Sequence, residues 1–166
     1  MTTSTTPEHF TAVPAKPIFV ATTEEQILAK AADILERKFR NTNEAFTSVR
    51  ASKDYCAFKL GNYKKEVFSI MLMDNQHRLI EFKELFYGTI DQASVYPREV
   101  AVEALRVNAA AIILVHNHPS GNSTPSSSDK AITQKLTSAL ELIGVRVLDH
   151  IIVGARCTSF AELGLI

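Results

Sequence analysis

Residues 111–129 read AIILVHNHPSGNSTPSSSD, an apolar run that breaks into a turn-rich loop carrying two histidines and an aspartate. Ala111 to His116 is an apolar run without polar alternation, so it predicts a strand buried on both faces. If the strand continues through Asn117, His116 and His118 lie two residues apart and point to the same face. Pro119 and Gly121 force a turn in a loop rich in Ser, Asn and Pro. A helix is predicted from about Ser127 to Ile143, with Ile132, Leu136, Leu140 and Ile143 along one side. Asp129 falls in its first turn, where it can come back toward the two imidazoles.

Glu66 to Met73 (EVFSIMLM) is also apolar on both faces and predicts a central, covered strand. Asp74 to His77 supplies a turn, and Arg78 to Tyr87 completes a hairpin. Thr89 to Tyr96 reads as extended. Pro97 suits the first turn of a helix running to about Asn108, with Val100, Ala104 and Val107 inward. Val145 to Val153 reads as one bent strand or two short ones, and Ser159 to Leu163 as a last helical turn. Ser52 to Leu60 predicts a short helix ended by Gly61-Asn62. Thr23-x-x-Gln26 resembles a capping box opening a helix to about Phe39, with Ile27, Ala31, Ile34 and Leu35 on one face. Residues 1–22 read as a mobile tail, 23–43 as a helix and linker, and 44–166 as the main domain.

Lys plus Arg and Asp plus Glu number 18 each, so the formal charge is zero. Proteins that live on nucleic acid usually carry a basic excess, because phosphate contacts supply much of their affinity. Only a local patch at Lys59, Lys64 and Lys65 speaks for such a partner. Cys56 and Cys157 form no CxxC pair, which argues against a disulfide scaffold or a cysteine metal site. The opening MTTSTTPEHF lacks the pattern of a signal peptide, and no apolar run is long enough to span a bilayer. The chain therefore reads as a soluble cytoplasmic protein, with no membrane partner and with an oligomeric state that the sequence leaves open.

Two histidines and one carboxylate match the donors that zinc prefers, and a catalytic zinc site has three protein ligands and an open position. HxH pairs also arise by chance, and Ser126-x-x-Asp129 is equally a helix cap with an acidic residue in the first turn. The two elements together, separated by a turn-rich loop between a buried strand and a helix, point to a metal site. Its ligands are His116, His118 and Asp129.

His116-x-His118-Pro119 followed by Ser126-x-x-Asp129 resembles the JAMM signature of MPN+ metalloproteases. Three segments resemble the bacterial RadC family more narrowly: HNHPSG with Pro125-Ser126, the upstream YPREV at 96–100, and the downstream LDHIIVG at 148–154. The resemblance spans about Thr42 to Ile166. It implies an α/β fold, a mixed β-sheet flanked by helices in the JAMM/MPN (cytidine deaminase-like) architecture. It also implies Zn2+ held by His116, His118 and Asp129, an upstream glutamate acting as general base toward water, and a serine, matched by Ser126, that steadies a tetrahedral intermediate. Larger RadC proteins carry a helix-hairpin-helix-like region at the N-terminus, where this chain offers a tail and one helix.

The glutamate of this resemblance matches Glu66, at the start of the strand beside the histidine strand; Glu81, Glu84 and Glu99 compete. The bland reading of Glu66 is a solvated strand-end charge after Lys64-Lys65. Asp149-His150, between apolar runs, reads as a buried hydrogen-bonded pair with a structural task or as support for the metal ligands. Asn117 faces away from the metal and braces the loop. His77 and His9 read as exposed.

The implied activity is zinc-dependent hydrolysis of a peptide or isopeptide bond in an unidentified substrate. Two alternatives stand beside it. One is a DNA-repair-associated or DNA-binding role, which follows the family's label and is disfavoured by the charge balance. The other is a non-catalytic MPN scaffold, although scaffolds of that kind usually lack ligands that this chain keeps.

Overall fold

The apolar run at 111–117 becomes the middle strand of a five-stranded sheet. The computed structural model describes residues 23, 24, 26, 27, 30, 31, 33, 34, 37, 45, 46, 48–88 and 95–166. Among them the elements run α1 (Val49–Leu60), β1 (Val67–Met73), β2 (Leu79–Tyr87), α2 (Pro97–Arg106), β3 (Ala111–Asn117), α3 (Ser127–Glu141), β4 (Arg146–Val153) and β5 (Cys157–Ser159). The sheet order is β2-β1-β3-β4-β5. β3 runs antiparallel to β1 and parallel to β4, with α3 as the crossover, so the sheet is mixed as the resemblance implies.

Every residue of β1 and β3 is buried, because helices cover both faces. On one face α1 packs Tyr55, Cys56 and Leu60 against Val67, Met71, Ile113, Val115 and Ile151. On the other, Val100 and Ala104 of α2 and Leu136 and Leu140 of α3 pack against Phe68, Ile70, Leu72, Ile112 and Leu114. Each of the larger side chains contributes about 1.5–3 kcal/mol of burial, which is why neither strand alternates with polar residues.

Local signals set the boundaries. Ser48 caps α1, its side chain accepting from Ala51 N, so the helix opens at Val49, before the Ser52 expected from the pattern. Asp74 Oδ1 accepts from Gln76 N at 2.8 Å and Arg78 N at 3.0 Å, which closes the β1–β2 hairpin. α3 stops at Glu141, and Gly144 with φ 72° turns the chain into β4. Ile143, expected on the packed side of that helix, is therefore 38% exposed beyond its end. β4 is one strand, with a register shift between Ile112 and Ile113 on its neighbour. β5 lacks a sequence signal: three residues, two of them polar, pair antiparallel with the end of β4. Leu163 N donates to Ser159 O at 3.3 Å in the expected turn.

Gln26 N donates to Thr23 Oγ1 at 3.2 Å, the capping contact expected there. Residues 24, 26, 27, 30, 31, 33, 34 and 37 are helical, but Ile27 and Ile34 stand 51% exposed, where the pattern suggested a packed face. The tail 1–22, Leu35, Phe39 and Thr89 to Ser94 lie outside the described residues. Among the described residues, no helix is long and apolar enough to cross a membrane.

Candidate metal centre

The centre forms where β3 ends and α3 begins. His116 is the penultimate residue of β3 and is completely buried, with Phe68 opposite it in the ladder. The Phe68 and His116 rings stack, with centroids 6.4 Å apart and planes at 15°. His118 leaves the strand but keeps its course, because its amide donates to Val153 O at 2.8 Å. Both imidazoles share one face, as the period of two requires, and their Nε2 atoms lie 2.9 Å apart.

Asp129 comes to them from the first turn of α3. Ser126 and Asp129 form a reciprocal capping box at the helix start. Ser126 N and Oγ both donate to Asp129 Oδ2, each at 2.7 Å. The other oxygen, Oδ1, is buried without a hydrogen bond and faces His116 Nε2 at 3.2 Å. His118 Nε2 lies 3.9 Å from Oδ2. Burial alone raises the Asp129 pKa, but His116 beside it and the two Ser126 donors more than offset this, so the carboxyl stays well below the usual carboxylate range.

His118 Nδ1 lies 2.6 Å from Asn122 O. A carbonyl only accepts, so Nδ1 carries a proton, and in the neutral ring Nε2 offers a lone pair to the centre. A bare carboxylate oxygen and a bare imidazole nitrogen thus share a buried space with the second imidazole. Oδ1 makes no hydrogen bond, and the group nearest to it is the His116 ring. Such an arrangement is repulsive unless a cation, or a proton on His116 Nε2, joins the donors, and two nitrogens with one carboxylate are the donor set that zinc takes. Ligand atoms on a tetrahedral zinc at bonds of about 2.0–2.1 Å lie about 3.3 Å apart, within the range seen here. The residues present fit a metal ion. Among the described residues, His116, His118 and Asp129 are the one group of three or more potential ligands close enough to hold one.

The loop that carries His118 is locked from below. Gly121 takes φ 81°, and its carbonyl accepts from Ala155 N at 2.8 Å. Gly154 lies so close that an added Cβ would stand 2.5 Å from Gly121 O. A groove of about 190 Å³ opens there, lined by Tyr63, Asn117, His118, Pro119, Gly121 and Gly154 among others.

Glu66 stands just before β1. Extending the β1–β3 register by two residues from Phe68 opposite His116 puts Glu66 across from His118, on the histidine face. It is partly buried, and its charge acts on His116, raising that ring's proton affinity against the larger opposing effect of burial. The competing acids are elsewhere. Glu81 bonds Arg106 Nη2 at 2.6 Å, Glu84 accepts from the hydroxyls of Tyr63 and Tyr87, and Glu99 is exposed on α2.

Asn117 points to the opposite face, as expected, and the loop it braces is the one leading to Glu66. Its Oδ1 accepts from Val67 N at 2.8 Å, and its Nδ2 donates to Tyr63 O at 3.2 Å and Lys65 O at 3.0 Å. The Asp149-His150 side chains do not pair with each other. Asp149 accepts from the His150 amide, Ser159 Oγ and the Ala161 amide, tying down the C-terminal turn. His150 turns inward, with Nε2 2.8 Å from His116 Nδ1 and Nδ1 2.6 Å from Thr133 Oγ1. Its pKa is pushed well below the ordinary value by burial, and that of His116 is lowered by the same cause. Thr133 and Phe68 carry no sequence signal of this role; the only trace of it is a charged and a polar residue inside the apolar β4.

Residues 46–165 match the family model described as RadC-like JAB domain. The chain is 57% identical over 141 residues to a UPF0758 protein of Vibrio cholerae serotype O1, covering 85% of this chain and 89% of that protein. It is 44% identical over 155 residues to the UPF0758 protein YfjY of Escherichia coli K12, covering 93% and 96%. A longer UPF0758 protein of Aeromonas hydrophila is 53% identical over 122 residues, which make up 73% of this chain and 54% of that one. With the match running from Phe46 through the histidine strand to the last turn, the chain belongs to the RadC-like JAB domain family.

Proposed function

We propose that this chain is a zinc-dependent hydrolase of the JAMM metallopeptidase type, cleaving a peptide or isopeptide bond, and that residues 44–166 form the catalytic unit. The observation that carries the reading is the buried, unpartnered Asp129 Oδ1 beside two convergent imidazole nitrogens. His116, His118 and Asp129 are the residues that would hold Zn2+; when bound, it would supply Lewis acidity toward an amide carbonyl and toward water.

The chain's own residues supply the rest. Glu66, across from His118, acts as general base toward the attacking water and returns the proton to the leaving amine. Ser126 orients Asp129 through its hydroxyl. To steady a developing oxyanion, that hydroxyl exchanges Asp129 Oδ2 for the substrate oxygen, a contact whose loss typically costs about 3 kcal/mol of barrier. Burial of His116 and the stacked Phe68 keep bulk water from one side of the centre.

The test pairs metal analysis of the purified protein with hydrolysis of a peptide library by wild type, Asp129→Ala and Glu66→Gln. Metal is expected to be lost in the first variant, and kept with activity gone in the second. Wild-type metal content and activity in both variants would overturn the assignment.

A further inference from the structure

We propose that Thr133 and His150 are positioning residues of the metal centre, which together impose on His116 the single tautomer that can bind a cation. The proposal rests on the metal reading above and adds to it two residues from outside the ligand set. Its basis is a chain of three hydrogen bonds whose direction is set at the far end. Thr133 Oγ1 donates to Asp129 O at 2.6 Å, because a carbonyl offers no proton. A hydroxyl has one proton, so the contact of 2.6 Å between Thr133 Oγ1 and His150 Nδ1 is donated by the ring. His150 has no exposed surface, and its ring nitrogens face a hydroxyl and another imidazole. No carboxylate hydrogen bonds compensate a charge there, so the ring is neutral and its Nε2 carries a lone pair. His116 Nδ1 lies 2.8 Å from that lone pair and supplies the proton. In the neutral ring this leaves a bare Nε2 on His116, turned toward His118 and Asp129.

The chain also closes on itself. It starts on one ligand, His116 of β3, crosses β4 at His150, and ends on the backbone carbonyl of another ligand, Asp129 of α3. Strand and helix are thereby fixed relative to each other at the point where their donors must meet. Outer partners of this kind typically govern metal affinity by about 10–100-fold. Without the threonine hydroxyl the polarity is free to reverse. His150 would then donate from Nε2 to His116, and His116 would turn a proton on Nε2 toward Asp129 Oδ1, blocking the cation.

The experiment reads the tautomer of His116 by long-range nitrogen–proton NMR on the full chain, with histidine labelled and metal removed by chelation. Zinc affinity is then measured by competition with a chromophoric chelator. Wild type and Thr133→Ser are expected to show the Nδ1–H tautomer and equal affinity. Thr133→Val is expected to shift His116 to Nε2–H and weaken zinc binding about 10–100-fold. An Nε2–H tautomer in wild type, or an unchanged tautomer and affinity in Thr133→Val, would overturn the proposal. The wild-type spectrum decides even where the valine variant fails to fold. Absence of zinc binding to a wild type with the expected tautomer would instead overturn the metal reading.

Discussion

Ser126 and Asp129 hold each other in both directions. Ser126 Oγ donates to Asp129 Oδ2 at 2.7 Å and accepts from Asp129 N at 3.1 Å. A helix cap and a ligand-orienting contact are therefore one object, and the carboxylate is left with a single free oxygen. Ser126→Ala is expected to cost about 1 kcal/mol of stability, the usual worth of such a cap, and also to weaken zinc binding. Ser126→Thr should restore both. Urea unfolding and zinc titration read the two effects, and unchanged zinc affinity in the alanine variant would separate cap from ligand.

The buried histidines make the metal-free fold sensitive to acid. His116 and His150 both have folded-state pKa values below the ordinary 6.5. Below pH 6.5 the unfolded chain therefore takes up protons that the folded chain refuses. Stability is full above that pH and falls as pH drops toward the lowered folded values, by up to about 1.4 kcal/mol per pH unit for each ring. The depressed Asp129 acts in a separate window, its contribution being lost as pH falls below the ordinary 3.8. Urea unfolding of the chelated protein at stepped pH should give the slope, and His150→Gln should reduce it by about half. A flat profile from pH 7 to 5 would contradict this account.

Asn117 secures the approach to Glu66 with three hydrogen bonds. Asn117→Ala leaves Val67 N–H without its buried acceptor, at an expected cost of about 1–3 kcal/mol. Amide exchange at Val67 should accelerate well ahead of exchange in the centre of β3. Exchange of both at the same rate would mean that the side chain does not anchor this segment separately.

Gly154→Ala tests the floor beneath the His118 loop. The added Cβ would meet Gly121 O at 2.5 Å, and that oxygen is backbone, so the two turns must part. A loss of about 1–3 kcal/mol is expected, with weaker zinc binding because the segment through His118 and Asn122 moves. Thermal melts with and without zinc would detect both, and a melting point equal to wild type would show that the turns have room.

Much of this was legible in the sequence wherever a residue's neighbours are close along the chain. The β1–β2 hairpin followed from its turn, α2 from Pro97, and the paired histidines from the period of a strand. Asp129 was legible because a short loop and a capping box return it to the strand end. Long-range partners were not. Nothing in the sequence pairs Thr133 with His150, which touch only because α3 lies across β4. Asp149-His150 looks like one unit in the sequence, yet adjacent strand residues point to opposite faces, so the two serve different ends of the fold. β5 escaped because three residues that pair only with their neighbour need no pattern of their own. Ile143 fits the helical period but lies past the helix end, and Ile27 and Ile34 fit an apolar face that stays open to solvent.

All three candidate ligands fall between residues 116 and 129, on one crossover from strand to helix, whereas the apolar layers on both sides of the sheet close without them. An ion bridging them would tie off only a small ring of chain, and closing a small ring removes little freedom from the unfolded polypeptide. In small zinc modules, by contrast, ion binding is itself the main folding energy. Here the two apolar layers close without those residues, so on the proposed reading removal of an ion is expected to leave the architecture standing.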